Sequence, residues 1–162
     1  MNDIPRVNAV DEPVTGDSET VEGVTAEEQR IVDLLRTAGL RPTRQRTALG
    51  ALLFSGHDRH VSAETLHAEA VASGERVSLA TVYNTLHQFK RAGLLRELAI
   101  DGSRAYFDTN ISNHNHFFIE DKGELLDIDS HAIRVDGLPQ PPKGLRISHI
   151  DVVVRLVRDD DE

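Results

Sequence analysis

"VSLATVYNTLHQFKRAGLL", residues 77–95, is the stretch that decides the fold of this chain. Its apolar residues recur at helical spacing and are Leu79, Val82, Leu86 and Phe89. This spacing predicts a helix with one buried stripe. The opposite face carries short polar, amide and guanidinium groups, which match base edges and phosphates in a major groove. The candidate DNA-binding residues of this helix are Thr81, Asn84, Gln88 and Arg91, with Tyr83 at the flank.

The segments on either side of this helix indicate what it is for. Four helices are predicted, each with a hydroxyl residue just before it and a glycine just after it. These pairs are Thr25 and Gly39, Thr43 and Gly56, Ser62 and Gly74, and Ser78 and Gly93. The third helix is expected to bury Leu66, Ala70 and Val71. After Gly93, "LLRELAI" and "SRAYFD" predict a hairpin with a turn at "DGS". Helices followed by a hairpin predict a winged helix-turn-helix.

The sequence "RPTRQR" supports nucleic-acid binding. Arg41, Arg44 and Arg46 crowd the start of the second helix, where the helix dipole favours anions and repels cations. Phosphate oxygens would compensate for that repulsion. The alternative is a surface cluster with no partner.

Beyond residue 108 the chain changes character. The short polar segment "TNISN", residues 109–113, is predicted to be a hinge. "HFFIED", "ELLDID" and the long β-branched run "LRISHIDVVVRLV" then predict three strands. Three strands are too few to bury two faces, and unpaired strand edges invite pairing with a second copy. The predicted fold class is therefore α+β, with an amino-terminal winged helix-turn-helix domain followed by a small α/β dimerisation domain.

Two histidines stand one residue apart at the head of the first of these strands. Because side chains alternate along a strand, His114 and His116 point to the same face. The pair is either the polar edge of a strand or a chelate, and its own spacing leaves both readings open.

Charge and composition narrow the classes of protein. The chain of 162 residues has a net charge of -9, but residues 1–24 carry one base and six acids while residues 25–108 carry eleven bases and ten acids. A nearly neutral middle segment can still present a basic stripe to DNA. No apolar run is long enough to span a membrane and the start is acidic, so we expect a cytoplasmic protein. The absence of cysteine excludes disulfides and thiolate zinc sites.

The domain boundaries follow from these changes in composition. They are an acidic disordered tail (1–24), the DNA-binding domain (25–108), the hinge (109–113), the dimerisation domain (114–158), to which the resemblance described next adds metal or haem sensing, and an acidic tail (159–162).

Several motifs, in order and spacing, resemble the ferric uptake regulator (Fur) family of metal-responsive repressors. They are "RHVSAETLH", "VSLATVYNTLHQFKRAGLL", "GSRAYFD" and "HNHFFIEDKGELLDI". The sequence of these motifs is most similar to that of the iron response regulator (Irr) branch of the family. The resemblance covers about residues 25–157 and implies a homodimer that binds promoter DNA. Most of the family holds structural zinc with C-x-x-C pairs, which this chain lacks.

The resemblance also implies a metal site near the hinge. Its candidate ligands are His60, Asp108, His114, His116 and Asp127. The first two belong to the DNA-binding domain and the other three to the dimerisation domain, so a shared ion would lock the angle between them. Three imidazoles with two carboxylates suit Zn, Fe(II) or Mn(II). Haem is the rival ligand for His114 and His116, with one histidine axial and Phe117 and Phe118 as an apolar wall.

The expected function is a dimeric regulator, mainly a repressor, of iron and haem homeostasis genes, responsive to haem or a divalent metal. The alternative within the family is a manganese-, iron- or peroxide-responsive repressor. A metallohydrolase would need an open coordination position and a general base in a cleft, and no such motif is present. We therefore do not expect an enzyme. The resemblance also implies a second metal site, for which His149 matches one ligand and His131 or Asp129 would have to replace another.

Overall fold

The computed structural model describes residues 25–100, 102 and 104–159. The acidic tail predicted at 1–24 lies outside the described residues, as do residues 160–162 of the second tail. The helices are α1 (Ala26–Thr37), α2 (Arg44–Phe54), α3 (Ala63–Ala72) and α4 (Leu79–Arg91). The strands are β1 (His60–Ser62), β2 (Arg96–Ala99), β3 (Ala105–Asp108), β4 (Asn115–Ile119), β5 (Glu124–Ile128) and β6 (Val153–Leu156).

The predicted starts of the four helices are confirmed. The hydroxyl oxygen of each cap residue accepts a hydrogen bond from the backbone N–H three residues on, which satisfies a donor that the helix leaves free. These cap residues are Thr25, Thr43, Ser62 and Ser78. After α1, α3 and α4 the predicted glycine adopts a positive φ, while Gly56 after α2 does not.

The four helices pack around one core, and two apolar residues expected in it lie outside. Val71 is 53% exposed, because it stands next to buried Ala70 and so points about 100° away around the helix. Leu79 is 36% exposed, since it is the first residue of α4 and the buried stripe begins at Val82. Thr85 is also buried in this helix.

The wing contains a strand that the sequence did not predict. β1 is three residues long and pairs with β3, so the sheet has the order β1-β3-β2 and is antiparallel throughout. In this register His60 and Arg96 both lie opposite Asp108, one on each side. The sheet therefore sets these three residues in one row across its face.

The second sheet has the order β5-β4-β6, with β4 antiparallel to β5 and parallel to β6. The long strand predicted over residues 145–157 is wrong, because only Val153–Leu156 are strand. The register with β4 begins at His116 opposite Val153, and the Val152 carbonyl just before it accepts the His116 N–H at 3.0 Å. Several apolar side chains around this sheet are exposed, namely Leu126, Leu138, Leu145, Ile147 and Val157.

The four helices and the sheet β1-β3-β2 form a winged-helix unit, and the sheet β5-β4-β6 belongs to a second unit. These two units touch through an apolar cluster. Leu98, Ile100 and Tyr106 of the wing pack against Phe118 and Leu125 of the second sheet, with Val153 at the edge. The rings of Tyr106 and Phe118 meet edge to face at 5.8 Å between centroids. Within the described ranges, none of the helices has the length and apolar character needed to cross a membrane.

Candidate metal centre and nucleic-acid interface

The structure brings the five candidate ligands together at the junction of the two sheets. His60, Asp108, His114, His116 and Asp127 each offer one ligand atom, and these atoms all lie within 4.8 Å of one another. We call these five residues the hinge cluster. Two of them come from the winged-helix unit and three from the second sheet or the residue before it.

Strand register explains how distant residues meet. His60 on β1 lies opposite Asp108 at the end of β3, and His116 on β4 lies opposite Asp127 on β5. Partners in a register share a face of the sheet. His114 comes just before β4 and, two residues from His116, shares its side. Each sheet thus contributes one histidine and carboxylate pair, and His114 completes the group.

The side chains converge on two oxygen atoms. Oδ2 of Asp108 lies 3.5, 3.0 and 3.2 Å from the Nε2 atoms of His60, His114 and His116, respectively. Oδ1 of Asp127 lies 2.9, 3.3 and 3.8 Å from the same three atoms. The three imidazole nitrogens and the two oxygens therefore face a common centre.

Burial of the hinge cluster shifts the pKa values of its members. Asp108, His114 and His116 are buried, while Asp127 is 40% exposed and forms the side of the cluster that is open to solvent. Burial by itself raises the pKa of Asp108, but the hydrogen bond from His116, the neighbouring imidazole of His60 and the hydrogen bond from the Asn110 N–H outweigh it and hold the pKa below its usual range. Burial lowers the pKa of His60, and Asp108 and Asp127 together reverse that effect and raise it.

The hinge supplies supporting contacts that the sequence analysis missed. The backbone N–H of Asn110 donates to Oδ1 of Asp108 at 2.8 Å, and its side-chain amide lies 3.4 Å from Oδ2 of Asp127. These are the carboxylate oxygens that do not face the imidazoles. Asn110 Oδ1 also accepts from the N–H and hydroxyl of Ser112. The only sequence signal was an asparagine and a serine in a segment read as a polar linker, which is too general to assign.

The donor set fits a divalent transition metal. Nε2 of His60 and Nε2 of His114, which both face the centre, are buried, and neither makes a hydrogen bond of acceptable geometry to the described residues. Buried polar atoms are rarely left in this state. An ion about 2.1 Å from two ligands at right angles holds them about 3.0 Å apart, which is close to several of the nitrogen–oxygen distances. Imidazole and carboxylate ligands together suit Zn, Fe(II) and Mn(II).

On the candidate DNA face, Arg46 is turned inward. Its Nε donates to Oε1 of Gln88 at 2.8 Å and its Nη1 donates to the carbonyl of Arg41 at 2.8 Å. This contact ties the start of α2 to α4. Because a guanidinium has only donors, the Gln88 amide must turn its oxygen to Arg46 and leave its NH₂ group for another partner.

The other predicted DNA-binding residues stand around this pair. Tyr83 donates its hydroxyl to Oε1 of Glu64 at 2.8 Å, and the hydroxyl of Thr81 lies 2.9 Å from that of Ser78. Arg44 is 82% exposed and approaches Glu75 at 3.6 Å. Asn84 and Arg91 are exposed on α4. The structure thus gathers these residues along α2 and α4.

The second metal site considered near His149 does not assemble in the described part of the chain. His149 lies 3.0 Å from Asp151, and Asp129 accepts the backbone N–H of His131. The hinge cluster is the one group of metal-type ligands found among the described residues.

Fold and cluster define a class: winged-helix proteins with a metal-type site where the helical unit meets a second sheet. The model of the Ferric uptake regulator family matches residues 37–154. The peroxide-responsive repressor PerR of Staphylococcus aureus is 34% identical over 130 residues, covering 80% of this chain and 87% of the repressor. This chain belongs to the ferric uptake regulator family.

Solved structures agree with this assignment. The ferric uptake regulator of Pseudomonas aeruginosa, solved with manganese, is 29% identical, with a TM-score of 0.58 over 83% of this chain and 98% of that one. That of Vibrio cholerae shares the fold at 23% identity and a TM-score of 0.62, over 78% of this chain and 98% of that one. Members of the family are dimeric, DNA-binding transcription regulators. The similarity to PerR does not confirm the iron response regulator branch.

Proposed function

We propose that this protein is a DNA-binding repressor whose occupancy of DNA changes when a divalent metal binds the hinge cluster. The observation that carries the proposal is the cluster itself, in which three imidazole nitrogens and two carboxylate oxygens from both units face one centre. Mn(II), Fe(II) and Zn are the candidate ions, and relatives solved with manganese and with iron support this choice.

The mechanism follows from where the ligands are attached. A bound divalent ion would supply the positive charge that offsets Asp108 and Asp127 and holds three imidazoles together. His60 and Asp108 belong to the wing, while His114, His116 and Asp127 belong to the second unit. Joining them fixes the angle between the units. Because the half-sites of a dimer lie about 34 to 36 Å apart on DNA, a small rotation at residues 109–113 decides whether both recognition helices dock.

The proposal includes a homodimer built through the second unit. Exposed apolar side chains of the second unit include Leu126, Leu145 and Ile147, and a second copy would cover them. The proposed boundaries remain 25–108 for the DNA-binding domain and 114–158 for the dimerisation domain.

We further propose that α4 is the recognition helix. Arg41, Arg44, Arg46 and Arg91 would contact phosphates, while Thr81, Tyr83, Asn84 and Gln88 would face base edges. Arg46→Ala is expected to weaken binding to all DNA sequences. The negative slope of log K, where K is the DNA association constant, against log salt concentration should become shallower by about 1. Tyr83→Phe is expected instead to reduce discrimination between specific and random DNA.

The experiment that tests the function is selection from a random duplex library. Purified protein is incubated with the library in Mn(II) or in a chelator, and retained sequences are read. A two-fold symmetric motif whose enrichment changes with Mn(II), and no longer does so in His116→Ala, would support the proposal. Equal enrichment under all conditions would refute metal control, and no enriched motif would refute sequence-specific binding.

A peroxide-responsive repressor is the second candidate, favoured by the 34% identity to PerR. In that case Fe(II) in the cluster would promote oxidation of its own histidine ligands by peroxide. Mass spectrometry should then find one added oxygen atom on His60, His114 or His116 in Fe(II)-loaded protein. Mn(II)-loaded protein treated in the same way is the control and should stay unmodified.

A haem-responsive regulator of the iron response regulator branch rests on the sequence alone, on the resemblance of "TVYNTLHQF", "GLLRELAIDGSR" and the H-x-H-F-F motif to that branch. A macrocycle would have to enter a group whose ligand atoms all lie within 4.8 Å. Phe118, expected as part of a haem wall, is buried against the wing instead. A haem titration beside the His114→Ala/His116→Ala double variant separates the cases, because only a saturable Soret shift lost in the variant supports haem.

A further inference from the structure

Arg96 lies on β2, directly across the sheet from Asp108 of the hinge cluster. In the same row on the other side of Asp108 is His60. The side chain of Arg96 is mostly shielded from solvent. Neither the metal site nor the DNA face described above uses it, so its position beside the cluster calls for a role.

The guanidinium of Arg96 makes two hydrogen bonds outside the winged-helix unit, one to the hinge and one to the segment before β6. Nη1 donates to the carbonyl oxygen of Ser112 in the hinge at 2.6 Å. Nη2 donates to Oδ1 of Asp151 at 2.5 Å, just before β6. Charge-assisted hydrogen bonds of this kind are among the stronger ones in proteins. One side chain thus joins the wing, the hinge and the segment that enters the second sheet.

The Ser112 carbonyl has a second donor, which is a candidate metal ligand. Nδ1 of His114 lies 2.9 Å from the same oxygen. Because a carbonyl only accepts, Nδ1 must carry a proton, and in the neutral ring, the form that binds a metal, Nε2 keeps its lone pair facing the cluster. The orientation of Ser112 therefore fixes both the tautomer and the direction of His114.

Both backbone groups of Ser112, its N–H and its carbonyl, make hydrogen bonds. Asn110 Oδ1 accepts from the Ser112 N–H at 3.0 Å, while Arg96 and His114 share the carbonyl. Asp151, the other partner of Arg96, also lies 3.0 Å from Nε2 of His149. The hinge next to the metal cluster is thus a braced segment whose carbonyl orientation depends on Arg96.

We propose that Arg96 is a positioning residue, which orients His114 for metal through the Ser112 carbonyl and ties that orientation to the second unit through Asp151. This inference rests on the proposed metal-binding function. Outer partners of ligating histidines typically change metal affinity by about 10- to 100-fold. Arg96 acts one bond further out, so about 10-fold is the expected loss.

The test is a Co(II) titration of the full-length protein, read by visible absorption and by competition with a chelator, without DNA. Arg96→Met keeps the length of the side chain and removes its donors. Its Co(II) affinity should fall about 10-fold, with an altered absorption spectrum, since His114 loses its fixed direction. Arg96→Lys keeps the charge and one donor and should recover part of the affinity.

Arg155→Met is the matched control. Arg155 also joins the two units, because it donates to the Ile100 carbonyl and lies over the Phe118 ring, but none of its described contacts is with Ser112 or a cluster residue. Its Co(II) affinity should stay within about 2-fold of the original protein.

Equal affinities in Arg96→Met and Arg155→Met would overturn the role of Arg96 and leave the metal site standing. An original protein that binds no Co(II) would overturn the proposed function and this inference together. If Arg96→Met does not fold, Arg96→Lys and Asp151→Asn decide, because each retains part of the bracing. Both should lie between the original protein and a 10-fold loss, and unchanged affinity in both would reject the proposal.

Discussion

The same two units meet twice, once through the apolar cluster around Phe118 and once through the hinge cluster around Asp108. The apolar contact is complete as it stands, since Leu98, Tyr106 and Phe118 exclude water from one another. The hinge cluster is not complete, because the buried Nε2 atoms of His60 and His114 lack a good hydrogen-bond partner among the described residues. One contact needs only burial, and the other needs a ligand.

This difference suggests that one contact holds the two units together and the other sets the angle between them. Apolar burial is non-directional and tolerates small rotations, so the cluster around Phe118 can keep the units together over a range of angles. Metal ligands impose distances and directions. We therefore expect the apolar contact to set the stability of the junction and the hinge cluster to set its angle.

The largest effect is expected from Phe118→Ala. Phe118 is almost fully buried, and removing such a ring typically costs about 3 to 5 kcal/mol of unfolding free energy. Urea unfolding without metal measures the loss. Phe117→Ala is the matched control, because the neighbouring side chain points to the other face and is only half-buried. Equal losses of unfolding free energy in the two variants would contradict the claim that the apolar contact around Phe118 sets the stability of the junction.

The next effect is the loss of metal-induced stability in Asp108→Asn. A ligand present at 100 times its Kd stabilises the folded state by about 2.7 kcal/mol. Mn(II) should raise the unfolding free energy of the original protein by this amount and leave that of Asp108→Asn unchanged. Asp121→Asn, an exposed carboxylate paired with Arg158, is the control and should keep the full metal effect. Stabilisation of Asp108→Asn by Mn(II) would remove Asp108 from the site.

A smaller effect is expected from Arg155→Met. Arg155 lies 5.5 Å above the Phe118 ring and donates to the Ile100 carbonyl, so it reinforces the apolar contact from the solvent side. Its removal should cost about 1 kcal/mol of unfolding free energy. The same measurement with Mn(II) should show an undiminished metal effect. A variant that lost stability only in the presence of Mn(II) would place Arg155 with the hinge cluster instead.

The smallest effect concerns Glu64, which lies outside both contacts. The pKa of Glu64 is lowered by a hydrogen bond to its own backbone and by the Tyr83 hydroxyl. A lowered pKa in the folded state contributes stability above the unfolded pKa of about 4.3 and loses it as pH falls through the folded value. Because the pair is exposed, Glu64→Gln should cost roughly 0.2 to 0.5 kcal/mol at pH 7.

Stability curves of the original protein and Glu64→Gln, measured at pH 7 and at about pH 3.5, check this sign. The difference between them should narrow at the lower pH, because the carboxyl begins to take up its proton there and loses the interactions of its charged form. A difference that widened on acidification would contradict the assigned direction of the pKa.

The sequence determined the helices by itself. Each helix is specified locally, by a hydroxyl cap before it and a glycine after it, and α4 also by its apolar stripe, and these signals lie within a few residues of the turns they control. The paired histidines were visible for the same reason, since alternation along one strand places His114 and His116 together. The choice of five ligands came from the resemblance to a family, because no local signal connects His60 with Asp127.

Only the tertiary structure decided how the hinge cluster is built and braced. β1 is three residues long and exists because β3 is there to pair with it, and that pairing sets His60 beside Asp108. The expected long strand shrank to Val153–Leu156 because strand structure depends on a partner edge. Arg96 and Ser112 meet across 16 positions of the chain, and no local pattern encodes such a contact. Caps and periodicity act between neighbours, whereas register and bracing depend on which distant segments the fold brings together.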